Sequence, residues 1–230
     1  MTRCKGVERK GGFKEGHETI SDLAAGADFG GFAHSAIWMA QAGVIYNDLS
    51  SFLSSVEPGY YLEDFQSLTG PGGLGSPLSF SGNGFSYEAS ATSGFYATQT
   101  PSGSGNYVLT TTEAGDPILI TFTSGNVTAV GGYFLTTDIS GDIQPGTVTL
   151  TFSDGTSMTL FNQDLSTFTG YTASGVTLTS LTVTPSSEGE IFNWATIDNL
   201  YVGQAAIPEP ATVWLVLGGL GLAAFRKFRR

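Results

Sequence analysis

The sequence predicts an all-β protein: a single antiparallel β-sandwich domain, jelly-roll-like, followed by a C-terminal transmembrane helix. Three observations lead there. Residues 43–206 are rich in Gly, Ser, Thr, Phe and Tyr and contain no Lys, Arg, His or Cys, so strand formers outnumber helix formers. Short runs of alternating apolar and polar residues recur along that stretch, separated by glycine turns. After it, residues 211–225 (ATVWLVLGGLGLAAF) carry no charge and no Asn, Gln or His.

The elements follow in order. Asp48 is an N-cap for one short helix over Leu49–Val56, with Leu49, Phe52, Leu53 and Val56 at helical spacing. Residues 69–86, crowded with Gly, Pro and Ser, read as a long surface loop. Pro117–Thr123 alternates, with Ile118, Ile120 and Phe122 on one face, and Val127–Leu135 returns after a Ser124-Gly125-Asn126 turn, bulged at Gly131-Gly132. Thr147–Phe152 turns Val148, Leu150 and Phe152 inward, and Asp154-Gly155 then leads a tight hairpin into Ser157–Phe161. Val176–Val183 and Ala195–Val202 alternate in the same way. About nine to eleven such strands fit a sandwich with jelly-roll wiring. No internal repeat is present, which argues against a solenoid.

The domain spans residues 43–206, and residues 207–230 form a tail of three parts. Pro208-Glu209-Pro210 is extended, because each proline fixes φ and disfavours helix in the residue before it. The run 211–225 spans about 22 Å as a helix, short of a hydrocarbon core of about 30 Å, and three glycines soften it further. Residues 226–230 then place Arg226, Lys227, Arg229 and Arg230 as a basic stop that stays cytoplasmic, leaving the domain across the membrane.

This order of parts resembles the PEP-CTERM sorting signal of Gram-negative bacteria. The resemblance covers Ile207–Arg230. It implies that exosortase, a membrane-embedded cysteine protease-transpeptidase, recognises Pro208, Glu209 and Pro210 and processes the tail. It implies export across the inner membrane, a transient anchor there, and delivery to the cell surface or an exopolysaccharide or biofilm matrix.

Charge agrees with that address. All nine Lys and Arg lie in residues 3–14 or 226–230, while residues 43–206 hold 14 Asp or Glu. Such a surface repels nucleic acid and attracts divalent cations. The single Cys4 excludes a disulfide framework. Residues 1–42 form an atypical leader: bases up to Lys14 are followed by four acids and His17 within Glu15–Asp28. Its one apolar stretch, Phe32–Ala42, is interrupted by His34 and Ser35, yet Ala40-Gln41-Ala42 is a good signal cleavage site. We read residues 1 to about 35 as the product of a wrong start or frameshift, with the end of a signal peptide surviving. A genuine but unusual leader is the alternative, and mass spectrometry of the mature N-terminus separates the two.

Two constellations inside the domain bear on function. Glu63-Asp64 lies early and Asp198-Asn199 in the last strand. First and last strands of a jelly roll often pair, which brings these oxygens together, and clustered carboxylates without basic partners suit Ca²⁺. The pattern also resembles carbohydrate-binding jelly-roll modules, in which an early acid and a late Ile-Asp-Asp/Asn strand hold a structural calcium. Water-exposed turn and strand-edge acids are the other reading. The second constellation is aromatic: Tyr60, Tyr61, Phe65, Phe85, Tyr87, Phe95, Tyr96, Tyr133, Tyr171, Trp194 and Tyr201. Exposed rings would stack on sugars, whereas most rings belong to the core.

Catalytic routes are few. Without His or Cys in residues 43–206 there is no Ser–His–Asp or Cys–His arrangement and no zinc site of those ligands. A two-carboxylate glycosidase drawn from Glu63, Glu88, Glu113 or Glu190 remains the least favoured reading. The expected function is a non-enzymatic structural or adhesive envelope or matrix protein, with a calcium-holding carbohydrate-binding module as the alternative.

Overall fold

The computed structural model describes residues 43–69, 73–186 and 192–207. In chain order the first elements are β1 (Val44–Tyr46), α1 (Leu49–Ser54), β2 (Tyr61–Glu63), β3 (Gly73–Gly75), β4 (Leu78–Gly82), β5 (Phe85–Ser90) and β6 (Phe95–Gln99). Then come β7 (Tyr107–Thr111), β8 (Ile118–Phe122), β9 (Ala129–Thr137), β10 (Thr147–Phe152) and β11 (Ser157–Phe161). Finally β12 (Thr169–Thr172) and β13 (Ser180–Ser186) lead to β14 (Trp194–Gly203).

The strands form two antiparallel sheets. The larger runs β1-β12-β9-β14-β7-β6-β3, with β2 also paired to β14, and the smaller runs β11-β10-β13-β8-β5-β4. From β7 onward the chain crosses between them at every connection except the β10–β11 hairpin, so that β7-β14-β9-β12 face β8-β13-β10-β11. That is the wiring of a jelly roll, two Greek keys folded on each other.

One core lies between the sheets. Val148, Leu150 and Phe152 of β10 and Ile118, Ile120 and Phe122 of β8 meet Leu109, Phe134, Ala195 and Ile197 of the larger sheet. Each such large side chain contributes about 1.5–3 kcal/mol by leaving water, so strict period-two patterning fixes which face turns inward.

A second cluster covers part of the outer face of the larger sheet. Helix α1 seats Phe52 on it, among Tyr46, Phe168 and Tyr201. Gly170 and Gly131 permit this approach: a Cβ on Gly170 would stand 2.5 Å from the Phe52 ring, and one on Gly131 2.6 Å from Phe168. Asp48 caps the helix as expected, its Oδ1 accepting from Ser51 N at 2.8 Å. The helix stops at Ser54, before the expected Val56, because Val56 forms a β-bridge with Ala205.

Three other expectations need correction. The stretch 69–86 is not one loop, since β3, β4 and the start of β5 lie in it, and Leu78 and Phe80 pack on the core. Residues 176–179 are not strand: Leu178 N donates to Val127 O, and pairing in β13 begins at Ser180. The irregularity beside Gly131-Gly132 is real, but the extra residue belongs to β14, between Asp198 and Tyr201. The transmembrane helix, the basic stop and the leader fall outside the described residues. No helix among the described residues is long and apolar enough to cross a membrane.

Candidate functional site

The early Glu63-Asp64 segment and the last strand do meet, through β2 and not the first strand β1, which pairs with β12. β2 lies antiparallel to β14 with Glu63 opposite Leu200, and β7 pairs with the same edge of β14 nearer its start, Thr196 opposite Thr110. Asp198 and Asn199 sit at the junction. Asn199 takes φ +50°, and the extra residue there keeps both Asp198 and Tyr201 on the outer face while Ile197 and Leu200 point into the core.

Asp198 is 4% exposed. Its Oδ2 accepts from Asn106 Nδ2 at 3.2 Å, while its Oδ1 is buried with no partner among the described residues. Burial pushes the carboxyl above its ordinary pKa and the nearby Asp64 charge adds to this, against hydrogen bonds from Asn106 and Asn199. Asn106 is held in turn by Gln66, whose Nε2 donates to Asn106 Oδ1 at 3.0 Å and to Tyr107 O at 3.0 Å. Gln66 thus ties the loop after β2 to the start of β7, and Asp64 Oδ1 caps that loop by accepting from Gln66 N at 3.0 Å.

Of the four expected ligands, Asp64, Asp198 and Asn199 gather at this junction, but Glu63 turns the other way. Its Oε2 accepts from Tyr61 Oη and its Oε1 from Phe65 N at 3.0 Å. Burial, then that hydrogen bond, raises the Tyr61 phenol well above its ordinary pKa. Among the described residues no group of three or more Asp, Glu, His or Cys is placed to hold a metal. A cation at Asp198 would therefore draw on neutral oxygens as well. The donors present are all oxygens and suit a hard cation, and the orphaned Asp198 Oδ1 is the atom that lacks one.

The second candidate is a groove of about 300 Å³ farther along the same outer face. Tyr96 of β6 and Trp194 of β14, both half-buried, line it with Thr98, Thr110 and Asp138. Trp194 is fixed by a bond from its Nε1 to Thr112 O at 3.2 Å. Beneath it, Thr137, Thr196 and Thr110 form a hydroxyl chain with steps of 2.9 and 3.0 Å, ending on Ala195 O at 3.0 Å. One proton per hydroxyl fixes its direction: Thr137 donates to Thr196, Thr196 to Thr110, Thr110 to the carbonyl. The β9–β10 loop rims the groove, with Asp138 Oδ1 accepting from Ser140 N and Asp142 N at 2.8 and 3.0 Å. A rigid floor between two rings is a surface on which a sugar face can stack.

Most other expected rings are core: Phe65, Phe85, Tyr87, Phe95, Tyr171 and Tyr201 are buried. The candidate glycosidase acids do not gather, for Glu88 points to solvent on the outer face of the smaller sheet, Glu113 is exposed beyond β7, and Glu63 is engaged by Tyr61. Glu190, Ala40, Ala42, Pro208, Glu209, Pro210, Arg226, Lys227, Arg229 and Arg230 lie outside the described residues. Asn106, Gln66 and the threonine chain were not foreseen, and no local pattern marks them.

Two solved structures are distantly similar. One is a glycoside hydrolase family 43 arabinoxylan arabinofuranohydrolase from Bacillus subtilis in complex with cellotetraose: 15% identity over 59% of this chain and 29% of that one, TM-score 0.31. The other is an exo-beta-1,3-galactanase from Phanerochaete chrysosporium with galactose: 18% identity over 70% of this chain and 29% of that one, TM-score 0.26. The chain thus spans less than a third of either, and likeness at these TM-scores carries no functional argument. No curated protein sequence matches the chain. The last described strand leads into residues that do match a family model: residues 206–230 fit the PEP-CTERM protein-sorting motif, a C-terminal signal that implies export and sorting by exosortase.

Proposed function

We propose that the domain is the cargo of this signal: a non-enzymatic structural or adhesive protein of the envelope or the extracellular polysaccharide matrix. One observation carries the reading, namely that the sorting motif begins at residue 206, where the hydrogen-bonded jelly roll ends. The domain's 14 acids without a base suit a hydrated, cation-rich matrix and oppose nucleic-acid binding. The test is fractionation of an exosortase-bearing cell expressing the tagged chain, with and without the exosortase gene. Processed protein in the extracellular matrix is expected, with uncut protein kept in the inner membrane when the enzyme is absent. Equal processing and release in both strains removes the proposal.

A second reading, a carbohydrate-binding module with a structural calcium, is favoured by the Tyr96–Trp194 groove and the orphaned Asp198 oxygen. Calcium held at Asp198, Asp64 and Asn199 would lock β2, β7 and β14 together beside that groove. At a calcium concentration 100 times Kd the stabilisation is about 2.7 kcal/mol, or a rise in Tm of roughly 5–10 °C for a domain of this size. Thermal melts in calcium and in EDTA measure it. A Tm that does not move, or a rise that persists in Asp198→Asn, counts against the site, and a glycan array in calcium tests the groove.

A further inference from the structure

The chain leaves the domain with almost no slack. Ala206 N still donates to Ser55 O at 2.8 Å, Ala205 N to Thr128 Oγ1 at 2.7 Å, and Glu57 N to Gln204 O at 2.8 Å. Only Ile207 separates this anchored segment from Pro208. At about 3.5 Å per extended residue, Pro208 lies within about 7 Å of Ala206 and the apolar run begins within about 18 Å. An enzyme that closes its active site over Pro208-Glu209-Pro210 must therefore meet this end of the sandwich.

That end differs from the opposite one in charge, whereas exposed apolar side chains occur at both, with Ile139, Phe161 and Phe192 at the far end. The paired row Val44–Thr172–Ala129–Gly203 marks the tail end in the larger sheet. It carries a groove of about 840 Å³ whose lining includes Val44, Val176 and Ile207, exposed by 47%, 50% and 80%. Its acids are few: Glu57 lines the groove, and Asp154 is engaged by Tyr171 Oη at 2.6 Å. At the opposite end, beyond the Trp194–Thr137 pair, lie Glu113, Asp116, Asp138 and Asp142. A membrane carrying anionic lipid repels the acid-rich end, and the acid-poor end is the one the tether holds towards it.

Resting on the sorting reading, we infer that this groove is a docking surface for the membrane-embedded processing enzyme, an accessory contact that seats the domain while Pro208-Glu209-Pro210 enters the active site. The partner surface it fits is an apolar, non-acidic element of the enzyme on the exported side of the membrane.

The test uses the full chain co-expressed with exosortase, with tail removal followed over time. Val44→Ser combined with Val176→Ser should slow removal at least about fivefold, the effect of losing two half-exposed apolar contacts, with Tm unchanged. Inserting eight Gly/Ser residues between Ile207 and Pro208 should shrink that difference, because the spacer uncouples docking from cleavage. Wild-type removal rates in the double variant, or an insertion that speeds removal in both backgrounds alike, overturn the inference. Glu209→Gln is the separate control: tail removal that survives it overturns the sorting reading instead. A polarity-sensitive dye on Val44→Cys, in a Cys4→Ser chain reconstituted in phosphatidylethanolamine/phosphatidylglycerol vesicles, tells enzyme from lipid. A blue shift only on adding inactive exosortase supports docking, and a full shift from vesicles alone makes lipid the occupant.

Discussion

The outer face of the larger sheet is closed in two different ways. Over its half nearest the tail, helix α1 presses Phe52 onto glycines, and Phe168, Tyr133 and Tyr201 surround it in a mainly aromatic seal completed by Leu49, Leu53 and Val56. Over the other half no helix lies among the described residues, and threonine hydroxyls satisfy one another beneath a groove flanked by Tyr96 and Trp194. The first half gains stability from apolar burial, with the Phe52 ring filling the space above Gly170 and Gly131. The second gives up apolar area and keeps a rigid, polar, accessible floor. Stability and recognition are thus divided along one face, and substitutions in each half can break that division.

The largest effect belongs to the sealed half. Phe52→Ala removes a ring that is 1% exposed and leaves a cavity that the glycine backbone cannot fill, at a loss of about 3–5 kcal/mol. Urea melts measure it, and a loss under about 1 kcal/mol would show that the helix does not seal the sheet. Next comes the threonine chain. Thr196→Val keeps the shape but strands the Thr137 donor and leaves Thr110 without its incoming bond, losing about 1–3 kcal/mol. Replacing Thr137 by Val as well should recover part of that loss, and simple additivity of the two would contradict the chain.

How legible these halves were differs for physical reasons. The strand from Thr147 to Phe152 was read to the residue, because one buried face forces strict alternation. Asp48 announced the helix because capping is local. Val176–Thr179 misled because its alternation continues that of β13, while the backbone there bonds to Val127. The Gly/Pro/Ser richness of 69–86 hid β4, whose Leu78 and Phe80 carry the core pattern. At the site, the approach of Asp64 to Asp198 comes from β2, an extra strand on β14 outside the β7–β14 jelly roll, and not from pairing of the first and last strands. Asn106 could not be foreseen, since its bond to Asp198 joins residues 92 apart and no short-range signal encodes it.

A smaller effect tests how the seal is held. The Asp48 carboxyl lies below its ordinary pKa, chiefly through the backbone hydrogen bond from Ser51 and then Ser50. Because its folded pKa is depressed, its contribution is present above the unfolded value near 3.8 and is lost as pH falls through the folded value. Exposure and salt screening keep it modest. Asp48→Asn retains a capping oxygen without the titration, so its stability should vary less with pH between about 5 and 2.5 than that of the wild type. Parallel acid-limb slopes for the two proteins would show that the Asp48 charge adds nothing to the cap beyond its hydrogen bond.

The smallest effect on stability should carry the largest effect on recognition. Tyr96 is half-buried and its hydroxyl makes no hydrogen bond among the described residues, so Tyr96→Ala should shift stability by less than about 1 kcal/mol. If the open half is a sugar-stacking surface, the same change should weaken glycan binding about tenfold or more, since one ring supplies about half of the platform. Phe52→Ala provides the contrast: measured where it is still folded, it should leave glycan affinity nearly unchanged. Isothermal titration against the strongest glycan of an array reads both. Equal losses of affinity in the two variants would mean that the groove responds to general loosening of the sheet. A loss confined to Tyr96→Ala would place recognition on the open half and leave the aromatic seal as support alone.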